Sequence, residues 1–148
     1  MRISAKGRYA LSALIEVARQ TYSGDPVSVN SISEKLGISK IFLEQTVAQL
    51  KKSDILNSTK GKGGGYRLTR EASKITIRDA LFAVETTLFE KTELTGMERA
   101  PANAAAMEQL IFNRLDKAVD DCLLRITVQD LLDFSIQQTT DQAFMLNM

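Results

Sequence analysis

Between Ser4 and Tyr22 the apolar positions Tyr9, Leu11, Leu14, Ile15 and Ala18 recur at helical spacing, with Ser4 placed to cap the first turn. Gly24-Asp25-Pro26 then breaks the pattern and predicts a turn. Val29, Ile32 and Leu36 are spaced 3 and 4, which predicts a second helix from about Ser28 that stops at Gly37. Ser39 opens a third helix running to about Ser53, with Leu43, Val47 and Leu50 facing inward. Two short helices joined through a glycine turn make a helix-turn-helix.

The period then changes. Residues 55–59 and 66–69 read as two strands around the turn Lys60-Gly61-Lys62-Gly63-Gly64-Gly65. A basic, glycine-rich hairpin directly after a helix-turn-helix is a wing. The glycine run is not a nucleotide-binding loop, because it lacks the Gly-Lys-Ser/Thr ending and opens no helix. Its freed backbone suits either close approach to DNA or a loose hairpin turn. Ile75-Thr76-Ile77 leads into a helix from about Arg78 to Val84, where Thr76 and Asp79 have capping-box spacing. Residues 85–100 lose periodicity. A long helix is expected from Ala102 to Arg125, carrying Phe112, Leu115, Val119, Cys122 and Ile126 at spacings 3, 4, 3 and 4. That is the seam of a helix packing on another helix, in a dimer or on its own domain. A short helix from Val128 to Phe134 and a loose tail complete the pattern. The expected fold class is therefore mainly α with a small β-hairpin wing. It divides into a DNA-binding domain over 1–84, an irregular effector or linker segment over 85–103, and a dimerisation helix, short helix and tail over 104–148.

Composition changes this picture in three ways. First, there is no histidine and one cysteine, so neither a Cys/His zinc site nor a Ser-His-Asp or Cys-His mechanism is available within one chain. The adjacent acids Asp120 and Asp121 read as solvated helix surface, and no enzyme is expected. Second, no apolar run approaches a membrane span, and the basic start lacks the apolar stretch of a signal peptide. The expectation is a soluble cytoplasmic protein without a membrane partner. Third, the net charge of +1 hides an asymmetry. Residues 1–70 hold 12 Lys/Arg against 5 Asp/Glu, while residues 71–148 hold 7 against 13. A basic first half points to a polyanion partner.

The third helix should enter the major groove of double-stranded DNA with Ser39, Lys40, Ile41, Glu44 and Gln45 outward. Glutamate accepts from cytosine N4, glutamine pairs with adenine, and Ile41 suits a thymine methyl. Lys6, Arg8, Lys51, Lys60 and Lys62 suit phosphate or minor-groove contacts, which set affinity and carry little sequence information. Arg2 and Ser4 in the N-terminal arm, and Gly61, Gly63 and Gly64 in the wing, complete the candidate interface. The alternative is a winged-helix protein–protein module that never touches DNA. Cys122, on the apolar seam, reads as an unreactive packing residue, with an intersubunit disulfide as the rival.

The opening Arg2-Ile3-Ser4-Ala5-Lys6-Gly7-Arg8-Tyr9-Ala10 resembles that of the Rrf-type winged-helix transcription regulators, the IscR/NsrR/CymR-like family. So do Ile32-Ser33-Glu34, Gly37-Ile38-Ser39, Phe42-Leu43-Glu44-Gln45, Gly61 to Tyr66 and Ile75 to Ala80, in the family's order. Ile126 to Leu131 is a fainter match. The resemblance implies a homodimer that binds a partly palindromic operator and usually represses. It also places Phe42 on the DNA-facing side, where the family often has tyrosine; the residues alone allow Phe42 to be core. Well-known members hold an iron–sulfur cluster on three cysteines in the stretch matching Thr92 to Ala106, which here has none. The resemblance is thus to a cluster-free branch, with no cofactor expected. The signal is left to a small-molecule or protein effector acting at the irregular segment.

Overall fold

A computed structural model describes residues 2–147, and among them every side chain but that of Tyr22. The elements follow the expected order. Helix α1 (Ala5–Arg19) is capped by Ser4, whose hydroxyl accepts from the Gly7 amide at 3.0 Å. One 3-10 turn (Gln20–Ser23) extends it before the chain reverses. Helix α2 (Val29–Leu36) is capped by Ser28 and ends at Gly37, where φ is 66°. Helix α3 (Lys40–Lys52) follows after three residues.

The wing is an antiparallel pair, β1 (Leu56–Thr59) and β2 (Gly65–Leu68), with Leu56 opposite Leu68 and Thr59 opposite Gly65. Its turn needs its glycines. Gly61 and Gly63 take φ of 93° and 78°, and a Cβ on Gly64 would lie 2.2 Å from the Thr59 carbonyl oxygen. The turn therefore requires glycine at these positions. Val27, just before α2, pairs with Tyr66 on the open edge of β2 and ties the wing to the helices.

Helix α4 (Ile77–Val84) begins at the Thr76 cap, and residues 85–100 are irregular as expected. Helix α5 (Pro101–Met107) starts on a proline at its first turn, three residues inside the expected linker. It runs through one π turn (Glu108–Phe112) into α6 (Asn113–Leu124). The predicted short helix and loose tail are corrected: α7 is a single helix, Val128–Leu146. The last residue of that predicted tail, Met148, lies outside the described residues. A complete capping box between Thr127 and Asp130 starts α7. Gln–Asp pairs one turn apart support it along its length, Gln129–Asp133 in the first half and Gln137–Asp141 in the second.

One core joins these parts. Ala10, Ala13, Leu14 and Val17 of α1 meet Ile32, Leu43, Val47 and Leu50 of the helix-turn-helix and Ala80, Leu81 and Val84 of α4. Val128 and Leu132 of α7 are buried in that same core, so the stretch expected as 104–148 contributes to the first domain's packing. Ile75-Thr76-Ile77 and Ile126-Thr127-Val128 pair antiparallel, with the Ile77 amide on the Ile126 carbonyl and the Val128 amide on the Ile75 carbonyl. Two similar Thr-capped helix starts thus lie side by side and fix α7 against α4.

Candidate nucleic-acid interface

The outward face of α3 begins with Ser39, which stands at the N-cap yet makes no capping hydrogen bond. Lys40, Glu44 and Gln45 are exposed, and Ile41 is 71% exposed although it is a large apolar residue. A single exposed apolar side chain is ordinary on a protein surface; what marks Ile41 is its place among Ser39, Lys40, Glu44 and Gln45 on one helix face. Lys40 and Glu44, one turn apart, form an ion pair at 3.9 Å. Part of the Glu44 charge is thus offset before any nucleic acid approaches. The same face continues through Ala48 and Lys52, both exposed. Sequence reasoning passed over these two, although their spacing from Ile41 and Glu44 by threes and fours marks them.

Phe42 points the other way. It is half-buried, and its ring meets Tyr9 of α1 edge to face at 5.3 Å. A hollow of about 280 Å³ lies beside this pair, lined by Ala5, Tyr9, Gly37, Ile38, Ser39 and Phe42. It brings the starts of α1 and α3 together, so the N-terminal arm borders the face that carries Ser39. Arg2 in the arm and Arg8 in α1 are exposed, and Lys6 in the first turn of α1 is half-buried. Ser4 is exposed, but its hydroxyl is committed to Gly7 and Glu85. Lys51, Lys60, Gly61, Lys62 and Gly63 are exposed, and Gly64 is half-buried under its own turn.

The +7 of the first seventy residues does not all face one partner. Arg67 donates twice to the Gly24 carbonyl, and Arg70 is bound to Asp79 and to the Asp54 carbonyl. Arg19 and Lys35 both pair with Glu16, which is buried between α1 and α2. These four cations hold the fold together. Among the cations expected to contact DNA, Lys40 alone is ion-paired among the described residues.

The expected seam of the long helix is divided. Leu115 (60% exposed) and Cys122 face solvent. Phe112, Val119 and Ile126 are half-buried; Val119 lines a cleft beside α4, and Ile126 packs on the core. Leu115, Val119 and Cys122 lie within the regular helix α6, beyond the π turn at 108–112, so their 3-4 phase is intact; Val119 sits on the side facing α4, and Leu115 and Cys122 on the side facing away. The exposed set is Ile111, Leu115, Ala118 and Cys122, spaced 4, 3 and 4. Cys122 is thus a surface thiol in the protomer, on the same exposed row as Leu115.

A cleft of about 190 Å³ separates α4 from the long helix, lined by Arg78, Phe82, Leu88, Phe89, Lys91, Asp116, Val119 and Asp120. The Arg78 guanidinium lies 4.9 Å from the Phe82 ring centre and 5.2 Å from that of Phe89, and it pairs with Asp120 at 3.1 Å. Two exposed carboxyls nearby in the chain are held below the usual carboxylate range. Backbone amides of Glu98 and Gly96 do this for Glu98, and a hydrogen bond from Lys117, reinforced by the charges of Lys117 and Arg125, does it for Asp121.

The cluster ligands of the wider family do not fit here. Residues 85–106 contain neither cysteine nor histidine, and among the described residues no three His, Cys, Asp or Glu side chains converge on a metal-sized site. No helix of the described residues is long and apolar enough to cross a membrane.

Comparison with known proteins agrees with this architecture. The profile of the Rrf2 family, described as an iron-dependent transcriptional regulator, matches residues 3–133. The chain is 33% identical to the HTH-type transcriptional regulator IscR of Photorhabdus laumondii over 133 residues, covering 90% of this chain and 80% of the relative. It is also 33% identical to IscR of Yersinia pestis over 147 residues, covering 95% and 88%. Among solved structures it resembles CymR, the global cysteine regulator of B. subtilis. The TM-score is 0.74 and the identity 33%, over 90% of this chain and 98% of that one. It resembles T. potens IscR with a TM-score of 0.70 and 28% identity, over 91% and 88%. A winged helix-turn-helix, an outward polar face on α3 and these relatives agree: the chain belongs to the Rrf2 family of DNA-binding transcription regulators.

Proposed function

We propose that this regulator acts as a cytoplasmic homodimer that represses from a partly palindromic operator. The observation that carries the reading is the face of α3, where Ser39, Lys40, Ile41, Glu44 and Gln45 stand together in solvent. In this reading each copy lays α3 in a major groove and uses Arg2, Lys6, Arg8, Lys51, Lys60 and Lys62 on phosphates or in the minor groove. Ser4, Phe42 and the wing glycines support these contacts by holding backbone and helix in place. The two copies meet through Ile111, Leu115, Ala118 and Cys122, whose exposure in one protomer calls for a cover.

The chain's donor set supports operation without an iron–sulfur cluster. The signal then enters as a small molecule or a protein at the irregular segment. The cleft around Arg78 and Phe89 joins that segment to both α4 and the long helix, so an occupant there would act on both. The test is genome-wide mapping of bound DNA, followed by binding to the recovered fragment. Saturable binding of two chains to a site with internal two-fold symmetry is expected. Recovery of no enriched sequence would overturn the reading.

A further inference from the structure

Glu85 stands where α4 ends and the irregular segment begins, and its amide closes α4 on the Leu81 carbonyl at 2.8 Å. Its carboxylate reaches back across the molecule to the start of α1. Oε1 accepts from the Ser4 amide at 2.9 Å and from the Ser4 hydroxyl at 2.9 Å. That hydroxyl in turn accepts from the Gly7 amide, and Arg8 Nη1 donates to the Ile3 carbonyl at 3.1 Å. Gly7 is buried, and a Cβ there would stand 2.2 Å from Glu85 Oε1, so the absence of a side chain is what admits the carboxylate. Helix α1 has no acid in its first turn and carries Lys6 there, the wrong sign for the positive end of a helix. The missing negative charge is supplied by α4, from 81 residues away in sequence.

We infer that Glu85 is a positioning residue for DNA binding: it fixes the N-terminal arm, and with it Arg2, and ties the arm's placement to the irregular segment. The inference rests on the arm touching DNA, as in the function proposed above. A carboxylate beside the basic arm has two opposing effects. As a bare charge it repels phosphate, so its removal would tighten binding. As an anchor it holds the arm in place, so its removal loosens binding. The sign of the effect separates the two.

The experiment uses the full chain and the DNA fragment recovered by mapping. Affinity is measured over a range of salt for wild type, Arg2→Ala, Glu85→Ala, the double variant and Glu85→Gln. Arg2→Ala is expected to lower affinity several-fold and to reduce the slope of log affinity against log salt by about one. Glu85→Ala is expected to lower affinity about tenfold and to reduce the slope by about one to two. The double variant should lose less than the product of the two, because the arm is already loose. Glu85→Gln keeps an oxygen acceptor for both Ser4 donors and should restore most of the loss. Gly7→Ala, which displaces the carboxylate from the other side, should reproduce Glu85→Ala. Thermal melting run alongside identifies any variant that is merely unfolded, and Gly7→Ala then decides the matter. Unchanged or tighter binding by Glu85→Ala, with Arg2→Ala still weakened, overturns the positioning role alone. An Arg2→Ala variant indistinguishable from wild type removes the arm from the interface and overturns both the positioning role and the arm's part in the proposed function.

Discussion

Glu44 is the residue whose chemistry is hardest to explain without base reading. It is an acid on the face proposed to meet a polyanion, and Lys40 offsets its charge only in part, at 3.9 Å and half in solvent. Replacing it with alanine should relax preference at one position in each half-site by about 1–3 kcal/mol. A panel of single-base substitutions in the recovered operator measures this. Tighter binding to every sequence alike would instead mark Glu44 as a surface charge. Ile41 belongs to the same face and was legible from helical phase alone. Phe42 was not, since its position allows either face and only the edge-to-face contact with Tyr9 assigns it to the α1–α3 contact. Cys122 is exposed in the protomer, so its burial on the seam depends on a second copy. Its exposure gives a second expectation: maleimide should label it in dilute protein, and labelling should slow as the copies associate. Equal labelling at all concentrations would place the thiol outside the interface.

Among the elements, the wing was read most fully, because alternating strands and a glycine turn are local signals. What its sequence could not show is the Val27–Tyr66 pairing, which joins segments far apart in the chain. Changing Lys60 and Lys62 to alanine should weaken binding to all sequences and reduce the salt slope by about one unit for each phosphate that the wing no longer neutralises. An unchanged slope would show that the wing stays off the DNA. Helix α7 is longer than its sequence pattern predicts. Its second half contains Thr139-Thr140, of weak helical propensity, and shows no apolar period. The helix persists through side-chain pairs along its own surface and through the docking of Val128 and Leu132 on the core. Leu132→Ala should therefore cost about 2–5 kcal/mol in denaturant unfolding, as a core cavity does. A loss within a few tenths would return α7 to the role of an appendage. The turn at Gly96–Glu98 has its own pH limit. A depressed carboxyl contributes stability above its unfolded value and loses that contribution as pH falls through the folded value. Acidification below the ordinary carboxylate range should therefore loosen this exposed turn slightly while leaving the core intact.

For the whole molecule, charge and function divide more finely than the half-and-half count implied. Arg19, Lys35, Arg67 and Arg70 are engaged inside the fold, and the free cations gather at the arm, at the end of α3 and at the wing tip. The expected boundary near residue 104 fails as a cut point for a related reason. A chain ending there loses Val128 and Leu132 from the core as well as the long helix, so it should misfold and not survive as a folded DNA-binding monomer. What the sequence could not carry is the relation between two copies, since an exposed apolar row does not state its own partner. Hydroxyl-radical footprinting on the recovered operator, with the number of chains per site counted by sedimentation, addresses that relation directly. Two chains should protect two symmetry-related half-sites separated by about one helical turn or a multiple of it. A single asymmetric footprint occupied by one chain would contradict the paired, α3-led binding proposed for this regulator.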